Sequence, residues 1–304
     1  TITHSSKGLC VAGTHGKTTT STMTAHLFHQ SHVECTAFLG GISKNYGTNL
    51  LLSQKSPYTV IEADEFDRSF HWLSPYMSVI TATDPDHLDI YGTLEEYRKA
   101  FKAFASQVSR TLIVKLGLDI TAEDTNARIL HYSYDNPDAD YHAANPRPDE
   151  VGHYIFDLVY PGGVIGNIRV GIPGWVNVEN SVAAAAVCLC HGVSPEAVKE
   201  AIGTYSGVKR RLEVHLNTPR LSYIDDYAHH PKELESAISS MRGIFPGRKL
   251  TAIFQPHLFT RTRDFAEDFA AALSKVDKLI LLDIYPAREE PIPGVTSELI
   301  FDKV

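Results

Sequence analysis

Residues 9–19 read LCVAGTHGKTT, an apolar run that leads through a loop with two glycines into a helix-like segment. Glycines in such a loop let backbone N–H groups approach an oxyanion, and the helix N-terminus behind the loop adds positive potential. Lys17 is placed to reach terminal phosphates, and the Thr18 hydroxyl is suited to ligate Mg²⁺. The stretch therefore predicts a phosphate-binding loop for ATP or GTP.

The predicted phosphate contacts extend over seven consecutive residues: Gly13, Thr14, His15, Gly16, Lys17, Thr18 and Thr19. The spacing G-x-x-G-K-T is shorter than the usual motif, because Val11 stands where the first glycine is expected. The alternative is a glycine turn followed by an unrelated lysine. The strand, loop and helix context favours the phosphate loop.

The composition is that of an ordinary globular chain, with 304 residues, 43% hydrophobic and 21% charged, and the length favours two domains. A formal net charge of −8 argues against a broad nucleic-acid surface. The four cysteines form no C-x-x-C pair and no apolar run is long enough for a membrane span, so we expect a reduced, cytoplasmic protein. Because the chain begins Thr1-Ile2-Thr3 and enters a strand within a few residues, we expect a piece of a longer protein.

Strand and helix signals alternate through the first part of the chain. Strands are predicted at 58–61, 77–80 and 111–114. A capping box of Thr93 with Glu96 begins a helix before the last of them. This alternation predicts a mainly parallel sheet. Two further strands flank Pro161-Gly162-Gly163 and predict an antiparallel hairpin, 154–160 and 164–170, at the edge of that sheet.

A second alternation begins after a helix that starts at Ser194-Pro195 and ends near Gly207. Its strands are predicted at 220–225, 250–254 and 278–283, with helices after Pro231 and Arg263. We therefore predict an α/β fold with domains at 1–206 and 207–304. We expect the mainly parallel sheet in the first domain and an open, shortened α/β arrangement in the second.

Two polar clusters follow strands of the first domain, where ligands bind in open α/β sheets. Residues 62–67, EADEFD, come directly after a strand, and Glu62 is the best candidate for a nucleotide-bound Mg²⁺. The alternative, which is stronger for Glu65 and Asp67, is that these acids solvate a loop or cap a helix. His87, within Asp84–Asp89, fits a second metal or a phosphate as well as it fits a solvated loop histidine.

The second domain carries two more clusters, 225–231 and 255–261, and a pair of cations at Arg210 and Arg211. These residues supply donors and cations suited to carboxylates and phosphates. Two domains that face one nucleotide favour phosphoryl transfer to a second substrate over simple hydrolysis, because closure excludes water.

The chain as a whole resembles the Mur ligases of peptidoglycan synthesis. The matching motifs occur in the family's order and spacing: Gly13 to Thr20, Glu62 to Glu65, Asp84 to Asp89, Asn177 to Asn180, Arg210-Arg211, Asp225 to Pro231, Phe254 to His257 and Asp283 to Tyr285. Members have an N-terminal domain for the UDP-sugar, a central ATPase and a C-terminal Rossmann-like domain that admits the amino acid. The resemblance implies that this chain lacks the first and ends within the third.

The same resemblance implies an ADP-forming amide ligation driven by ATP, with Mg²⁺, or Mn²⁺ in its place, as the metal. The carboxylate of UDP-N-acetylmuramate would attack the γ-phosphate to give an acyl phosphate. The amino group of L-alanine would then displace phosphate. The implied partners are these small molecules, with no nucleic acid and no membrane insertion.

Site roles also follow from the resemblance. It implies catalytic roles for Lys17, Glu62, His87, His229 and Arg261. It implies metal ligands at Thr18, Glu62 and His87. It implies nucleotide contacts, beyond the loop, at Asn177, Asn180, Arg211 and Asp226. It implies amino-acid contacts at Tyr227, His229, His257 and Arg261, where a guanidinium suits a carboxylate.

Two positions depart from the pattern of many members, because Val176 stands where a histidine is common and Leu258 stands where an arginine is common. Alternatives within the family are a murein-peptide ligase and a folylpolyglutamate synthase, against which the His257 motif argues. A P-loop kinase or hydrolytic NTPase would use the same loop without needing His229 and Arg261. A third interpretation is a nucleotide-binding core without turnover, because a substrate carboxylate must be held in line to react.

Overall fold

A computed structural model describes residues 2–85, 88–150 and 152–304. Within these ranges the chain forms two compact units, one ending at Lys209 and one spanning Arg210–Val304. His87, a predicted site residue, and its neighbour Asp86 lie outside the described residues.

The first unit is built on one sheet, which has ten strands in the described part of the chain. The strands are β1 (Lys7–Ala12), β2 (Thr36–Phe38), β3 (Leu50–Leu51), β4 (Tyr58–Ala63), β5 (Pro75–Ile80), β6 (Thr111–Lys115), β7 (Arg128–Ser133), β8 (Tyr141–Pro148), β9 (His153–Tyr160) and β10 (Gly163–Pro173). The helices are α1 (Lys17–Gln30), α2 (Leu88–Tyr91), α3 (Leu94–Ser106), α4 (Val176–Cys190) and α5 (Pro195–Thr204), with 3₁₀ turns at Ile2–His4 and Ser69–Trp72.

The strand order is β10-β9-β8-β7-β6-β5-β1-β4-β2-β3. Pairing is parallel from β8 through β2, and antiparallel for β3, β9 and β10. The predicted mainly parallel sheet and its antiparallel edge hairpin are therefore confirmed. In such a sheet the loops that follow parallel strands meet at one edge, which places the loops after β1, β2 and β4 together.

Both faces of this sheet are covered, and β1 shows why. Leu9 and Val11 belong to a core that includes α1, α4 and α5, whereas Cys10 and Ala12 belong to a second core that includes α3. Successive side chains of a strand point to opposite faces, so a strand buried on both sides is apolar throughout. This explains the uninterrupted apolar run that precedes the glycine loop.

Local capping determines where two of the flanking helices start. The Thr93 hydroxyl accepts the Glu96 N–H at 3.2 Å, and Ser194 accepts the Ala197 N–H at 3.2 Å. Both starts agree with the sequence prediction.

Inside the first core, His26 is buried between the Tyr46 hydroxyl at 2.8 Å and the Thr204 hydroxyl at 3.0 Å. Burial lowers the pKa of His26 to about 4.

The second unit contains two small sheets in its described residues. Its elements are β11 (Glu213–Asn217), β12 (Ser222–Asp225), α6 (Pro231–Ile244), β13 (Thr251–Phe254), α7 (Phe259–Asp264), α8 (Ala266–Leu273), β14 (Lys278–Leu281) and α9 (Glu298–Phe301). β11 and β12 pair antiparallel, and β13 and β14 pair parallel. Leu234, Phe254 and Phe269 belong to its core.

The helix predicted after Arg263 is present as α8, but a separate short helix, α7, precedes it. α7 begins after Leu258, whose φ is 71°, and six residues are too few to give a clear helical periodicity.

Among the described residues, no helix combines the length and the apolar character that crossing a membrane requires.

Candidate active site

The loop after β1 forms the floor of the candidate site. Gly13 and Gly16 have φ values of 130° and 82°, which favour glycine. A Cβ at Gly13 would lie 2.2 Å from Thr81 Oγ1 and 2.7 Å from the backbone nitrogen of Ala82, so this loop also packs too closely for a side chain. Gly16 caps the N-terminus of α1, which places helix N–H groups at the loop.

Lys17 lies in the first turn of α1, and its ammonium group has three contacts. Lys17 Nζ donates to Gly13 O at 2.8 Å and to both carboxylate oxygens of Glu65 at 2.8 Å. Burial lowers the pKa of Lys17, but the Glu65 carboxylate, together with Glu62 and Asp64, outweighs burial, so this pKa lies above its ordinary value. Burial raises the pKa of Glu65, and Lys17 only partly offsets that effect. Their 2.8 Å bidentate contact is that of an ion pair.

One alternative considered for Glu65, that it solvates a loop, was wrong, because its side chain is only 1% exposed. The ion pair spans 48 positions of sequence, and no local pattern reveals it. For Asp67 the structure agrees with the capping alternative, because its carboxylate accepts the Ser69 N–H at 2.9 Å. One acid of this loop therefore caps a turn, while the other lies in the phosphate-loop site.

Thr18 and Glu62 meet where β1 and β4 end. Thr18 Oγ1 donates to Glu62 Oε1 at 3.2 Å. Glu62 Oε2 is buried without a hydrogen-bond partner among the described residues. Gly40, after β2, approaches it closely, since a Cβ there would lie 2.1 Å from Glu62 Oε2. A hydroxyl oxygen beside an unpartnered carboxylate oxygen is a donor set that fits Mg²⁺.

Three other loop residues make contacts inside the protein. Thr14 Oγ1 donates to Asp84 O at 2.8 Å and lies 2.9 Å from Tyr97 Oη. His15 Nε2 lies 3.7 Å from Asp84 Oδ2. Thr19 is buried. The Thr14 N–H also donates to Ala82 O at 3.1 Å, so both its side chain and its backbone N–H have partners inside the protein. The predicted phosphate contacts of His15 and Thr19 would depend on their backbone N–H groups.

The predicted asparagine pair lies in the first turns of α4, next to the same loop. Asn180 Nδ2 donates to Asn177 Oδ1 at 3.2 Å, and Asn177 Nδ2 donates to Pro173 O at 2.6 Å. Asn180 Oδ1 accepts from Thr20 Oγ1 at 3.3 Å. A Cβ at Gly16 would lie 3.0 Å from the same oxygen. Asn180 is thus brought to the start of α1.

The second unit places Asp226 in a backbone-binding role. Its two carboxylate oxygens accept the N–H groups of Leu212 at 2.7 Å and Ala228 at 2.8 Å. Burial raises the pKa of Asp226, and these hydrogen bonds partly offset the effect. Both Arg210 and Arg211 lie with the guanidinium carbon 5.6 Å from the Tyr227 ring centroid. The carboxylate and the cations therefore belong to one cluster.

Histidines form the other half of this cluster. The rings of His229 and His257 lie 5.9 Å apart, and His257 stacks on Tyr285 at 5.5 Å. Burial lowers the pKa of His229, although Glu233, 3.3 Å from its Nδ1, opposes the shift. Burial, with His229 and then Arg261, lowers the pKa of His257 to about 4. Both rings are therefore neutral at pH 7.

Sequence reasoning did not find Glu233 or assign a contact to Tyr285. Glu233 also lies 3.7 Å from Arg211, and its Oε2 accepts the His229 N–H at 3.1 Å. It is the third residue of α6 and forms a capping box with the cap residue His230, but a histidine at the cap is not the usual sequence signal. Arg261 is buried on α7 and lowers the pKa of His257.

A further group of potential ligands lies on the β11–β12 hairpin. Ligand atoms of Glu213, His215 and Asp225 lie within 4.8 Å of one another. Arg210 already faces this group, since its N–H donates to Glu213 Oε2 at 2.8 Å and its Nε lies 3.7 Å from Asp225 Oδ2. The Arg210 guanidinium thus gives Asp225 a cationic partner, and Glu213 accepts a backbone hydrogen bond.

A parallel sheet with a glycine loop, a buried lysine and a threonine–glutamate pair at its carboxyl edge defines a P-loop nucleotide-binding protein of the α/β class. Residues 11–188 match the Mur ligase middle domain, and residues 210–304 match the glutamate ligase domain of Mur ligases. The chain belongs to the Mur ligase family.

Relatives with assigned names are similar over nearly all of this chain. It is 58% identical to a UDP-N-acetylmuramate–L-alanine ligase of Phocaeicola vulgatus, over 99% of this chain and 66% of that protein. It is 52% identical to one of Porphyromonas gingivalis, over 100% of this chain and 67% of that protein. The chain thus spans about two thirds of the length of these relatives.

Solved structures show the same fold. The UDP-N-acetylmuramate-alanine ligase of Thermotoga maritima matches with a TM-score of 0.79 and 26% identity, over 98% of this chain and 64% of that one. A folylpolyglutamate synthase of Mycobacterium tuberculosis matches with a TM-score of 0.75, over 92% of this chain and 75% of that one. Its identity of 16% makes the second match evidence for the fold alone.

Proposed function

We propose that this chain is the ATP-binding and amino-acid-binding part of an ADP-forming ligase that joins L-alanine to UDP-N-acetylmuramate. The observation that carries the proposal is the meeting of Lys17, Thr18 and Glu62 at the carboxyl edge of the parallel sheet. The named relatives, at 58% and 52% identity, support this choice of substrates. We assign residues 1–206 to the central ATP-binding domain and 207–304 to the C-terminal domain. The division of the chain into two compact units after Lys209 supports this assignment.

Phosphate binding would depend on the loop backbone and Lys17. The N–H groups at the start of α1 and the Lys17 ammonium favour the negative charge of the transferring phosphoryl group. Thr18 and Glu62 would hold Mg²⁺, or Mn²⁺ in its place, because their oxygens are adjacent and Glu62 Oε2 lacks a partner in the described residues. The metal, when bound, supplies further neutralisation of phosphate charge.

The proposed reaction has two steps. A carboxylate oxygen of the sugar substrate attacks the γ-phosphorus of ATP, and the bond to the bridging oxygen breaks, which gives an acyl phosphate and ADP. The amino nitrogen of L-alanine then attacks the acyl carbon and phosphate leaves as the amide forms. The protein's part is mainly to position the reactants and stabilise charge, as in other phosphoryl transfers.

The histidine and arginine cluster of the second unit suits an amino acid. Arg261 supplies a guanidinium for the carboxylate of alanine. His229 and His257, both with lowered pKa, are neutral at pH 7, so an imidazole nitrogen of each can accept a hydrogen bond from an amino group. Tyr227 adjoins His229, with ring centroids 5.2 Å apart. We place the alanine substrate against these four residues.

The remaining nucleotide roles are proposals of the same kind. Asn177 and Asn180 are proposed for the base, and their position beside the loop supports a nucleotide role. Arg211 and Asp226 are proposed to face ATP, where Asp226 would act through the backbone that it holds. His87 stays a prediction as a second metal ligand, and a cytoplasmic location also stays a prediction.

The test is ATP-dependent phosphate release by this chain, with Mg²⁺, UDP-N-acetylmuramate and L-alanine omitted in turn. Mass spectrometry of the products would detect the amide. Release and amide formation that require every component, and that Lys17→Ala abolishes, are the expected results. Release that is indifferent to sugar and alanine would instead identify a simple NTPase, and Mg-ATP binding without release would identify a binding core.

A further inference from the structure

Glu65 is the buried acid of the phosphate-loop site that the proposed reaction does not use. Its side chain is 1% exposed, while that of Lys17 is 13% exposed. Burying a carboxylate is unfavourable unless a partner compensates it, and here both of its oxygens lie 2.8 Å from the Lys17 ammonium nitrogen. The geometry thus ties the position of Lys17 to that of Glu65.

The ammonium group has no donor left for a phosphate. A lysine ammonium carries three N–H donors. Lys17 directs contacts of 2.8 Å to Gly13 O and to the two oxygens of Glu65. An incoming phosphate oxygen must therefore replace one of these three acceptors. Giving up one Glu65 oxygen is the smallest change, because the other oxygen keeps the charges paired.

The backbone beneath Glu65 is held in place. Tyr91 Oη donates to Glu65 O at 2.5 Å, and the Arg68 N–H donates to the same oxygen at 3.0 Å. The Arg68 guanidinium lies over the Tyr91 ring at 4.8 Å. A fixed backbone confines the carboxylate to the neighbourhood of the lysine, which is what a positioning group requires.

We propose that Glu65 is a positioning residue for Lys17 and a built-in competitor of the nucleotide's phosphates. In the empty loop it holds the ammonium with both oxygens. When a nucleotide binds, one oxygen is exchanged for a phosphate oxygen, and the other keeps Lys17 aimed into the loop. This role deepens the proposed function, on whose nucleotide binding it rests, and it differs from that of Glu62, whose second oxygen is unpartnered among the described residues.

The test compares Glu65→Gln with wild type and with a matched control, Asp67→Asn, which removes an exposed acid of the same loop. The first readout is the side-chain NMR signal of the Lys17 ammonium in isotope-labelled protein, assigned with Lys17→Arg. We expect a protected signal in wild type and in Asp67→Asn, and its loss in Glu65→Gln. An unchanged signal in Glu65→Gln would overturn the proposal.

The second readout is affinity for Mg-ADP and for inorganic pyrophosphate, measured by calorimetry. Because the competitor is removed, Glu65→Gln should bind both probes more tightly, by about threefold or more, whereas a merely structural role would weaken binding. Unchanged or weaker binding by a folded variant would overturn the exchange. If Glu65→Gln does not fold, Glu65→Asp, with its shorter reach, should shift binding in the same direction by a smaller factor.

The two hypotheses fail in different ways. If wild type binds pyrophosphate but no Mg-ADP, the proposed function fails, and the exchange is still decided by pyrophosphate and the Lys17 signal. If wild type binds neither probe, the exchange fails as well. If it binds Mg-ADP and Glu65→Gln behaves as wild type, the proposed function stands and the role of Glu65 fails.

Discussion

Gly40→Ala is expected to displace the candidate metal ligand without disturbing the fold. The new Cβ would lie 2.1 Å from Glu62 Oε2, 2.6 Å from its Cδ and 2.8 Å from its Oε1. Ordinary contact begins at 3.4 Å, so the carboxylate must retreat by about 1.3 Å. Mg²⁺ requires oxygen distances close to 2.0–2.1 Å, and a ligand displaced this far no longer satisfies them.

The cost in stability should be small because the clash involves the far end of a flexible side chain. We expect a loss of about 1 kcal/mol in the free energy of unfolding, or about 2–4 °C in Tm. The assay is calorimetric titration of ADP with and without Mg²⁺. Gly40→Ala should lose the Mg²⁺-dependent gain in affinity by about tenfold or more, while binding of metal-free ADP stays near wild type.

Gly166→Ala is the matched control, because a Cβ there would lie 3.7 Å from Asp157 Oδ1, which is ordinary contact. It should leave the Mg²⁺ dependence unchanged. If Gly40→Ala kept the wild-type Mg²⁺ dependence, the assignment of Glu62 as a metal ligand would be refuted. Parallel loss of metal-free and metal-dependent binding would show that the loop, and not the carboxylate, had been damaged.

Three further predictions concern stability. Asp226→Asn should cost about 1–3 kcal/mol in thermal unfolding, because an amide cannot accept both the Leu212 and Ala228 N–H groups; an unchanged Tm would contradict this. His26 has a folded pKa of about 4, below the ordinary 6.5, so the unfolded state binds more protons between these values. Stability should be full above pH 6.5 and fall by up to about 3 kcal/mol as the pH drops towards 4, and denaturant titrations should show a flatter profile for His26→Gln. Gly203→Ala, in an exposed part of a helix where a Cβ meets only Arg169 O at 3.6 Å, should raise Tm by about 1–3 °C, and a lower Tm would show strain there.

The central strands were predictable because burial on both faces makes them mostly apolar. β1, β4 and β5 carry this signal, whereas β2 and β3 have only three and two residues. Short strands of this kind are fixed by their neighbours, since β2 lies between β3 and β4 in the sheet. Their pairing is tertiary information that a single sequence does not display.

The candidate site also contains residues that local sequence patterns predict and contacts that they do not. Lys17, Thr18 and Glu62 were predictable because a glycine loop and an acid at a strand end are local patterns. The Lys17–Glu65 pair was not, because it joins residues 48 positions apart and depends on the burial of both. Tyr285 was likewise hidden, since it meets His257 only through a bridge between separate segments.

The contact between Thr20 and Asn180 joins residues 160 positions apart. During translation at about 5–20 residues per second, Asn180 would be synthesised roughly 10–30 s after the loop. If Asn180 contacts the nucleotide as proposed, a nascent chain that ends before Asn180 lacks part of that site, so ATP would bind fully only after α4 has been synthesised. Bound nucleotide would then stabilise the folded protein and would not assist its first folding. Cellular nucleotide levels would therefore influence degradation of this protein more than its initial folding.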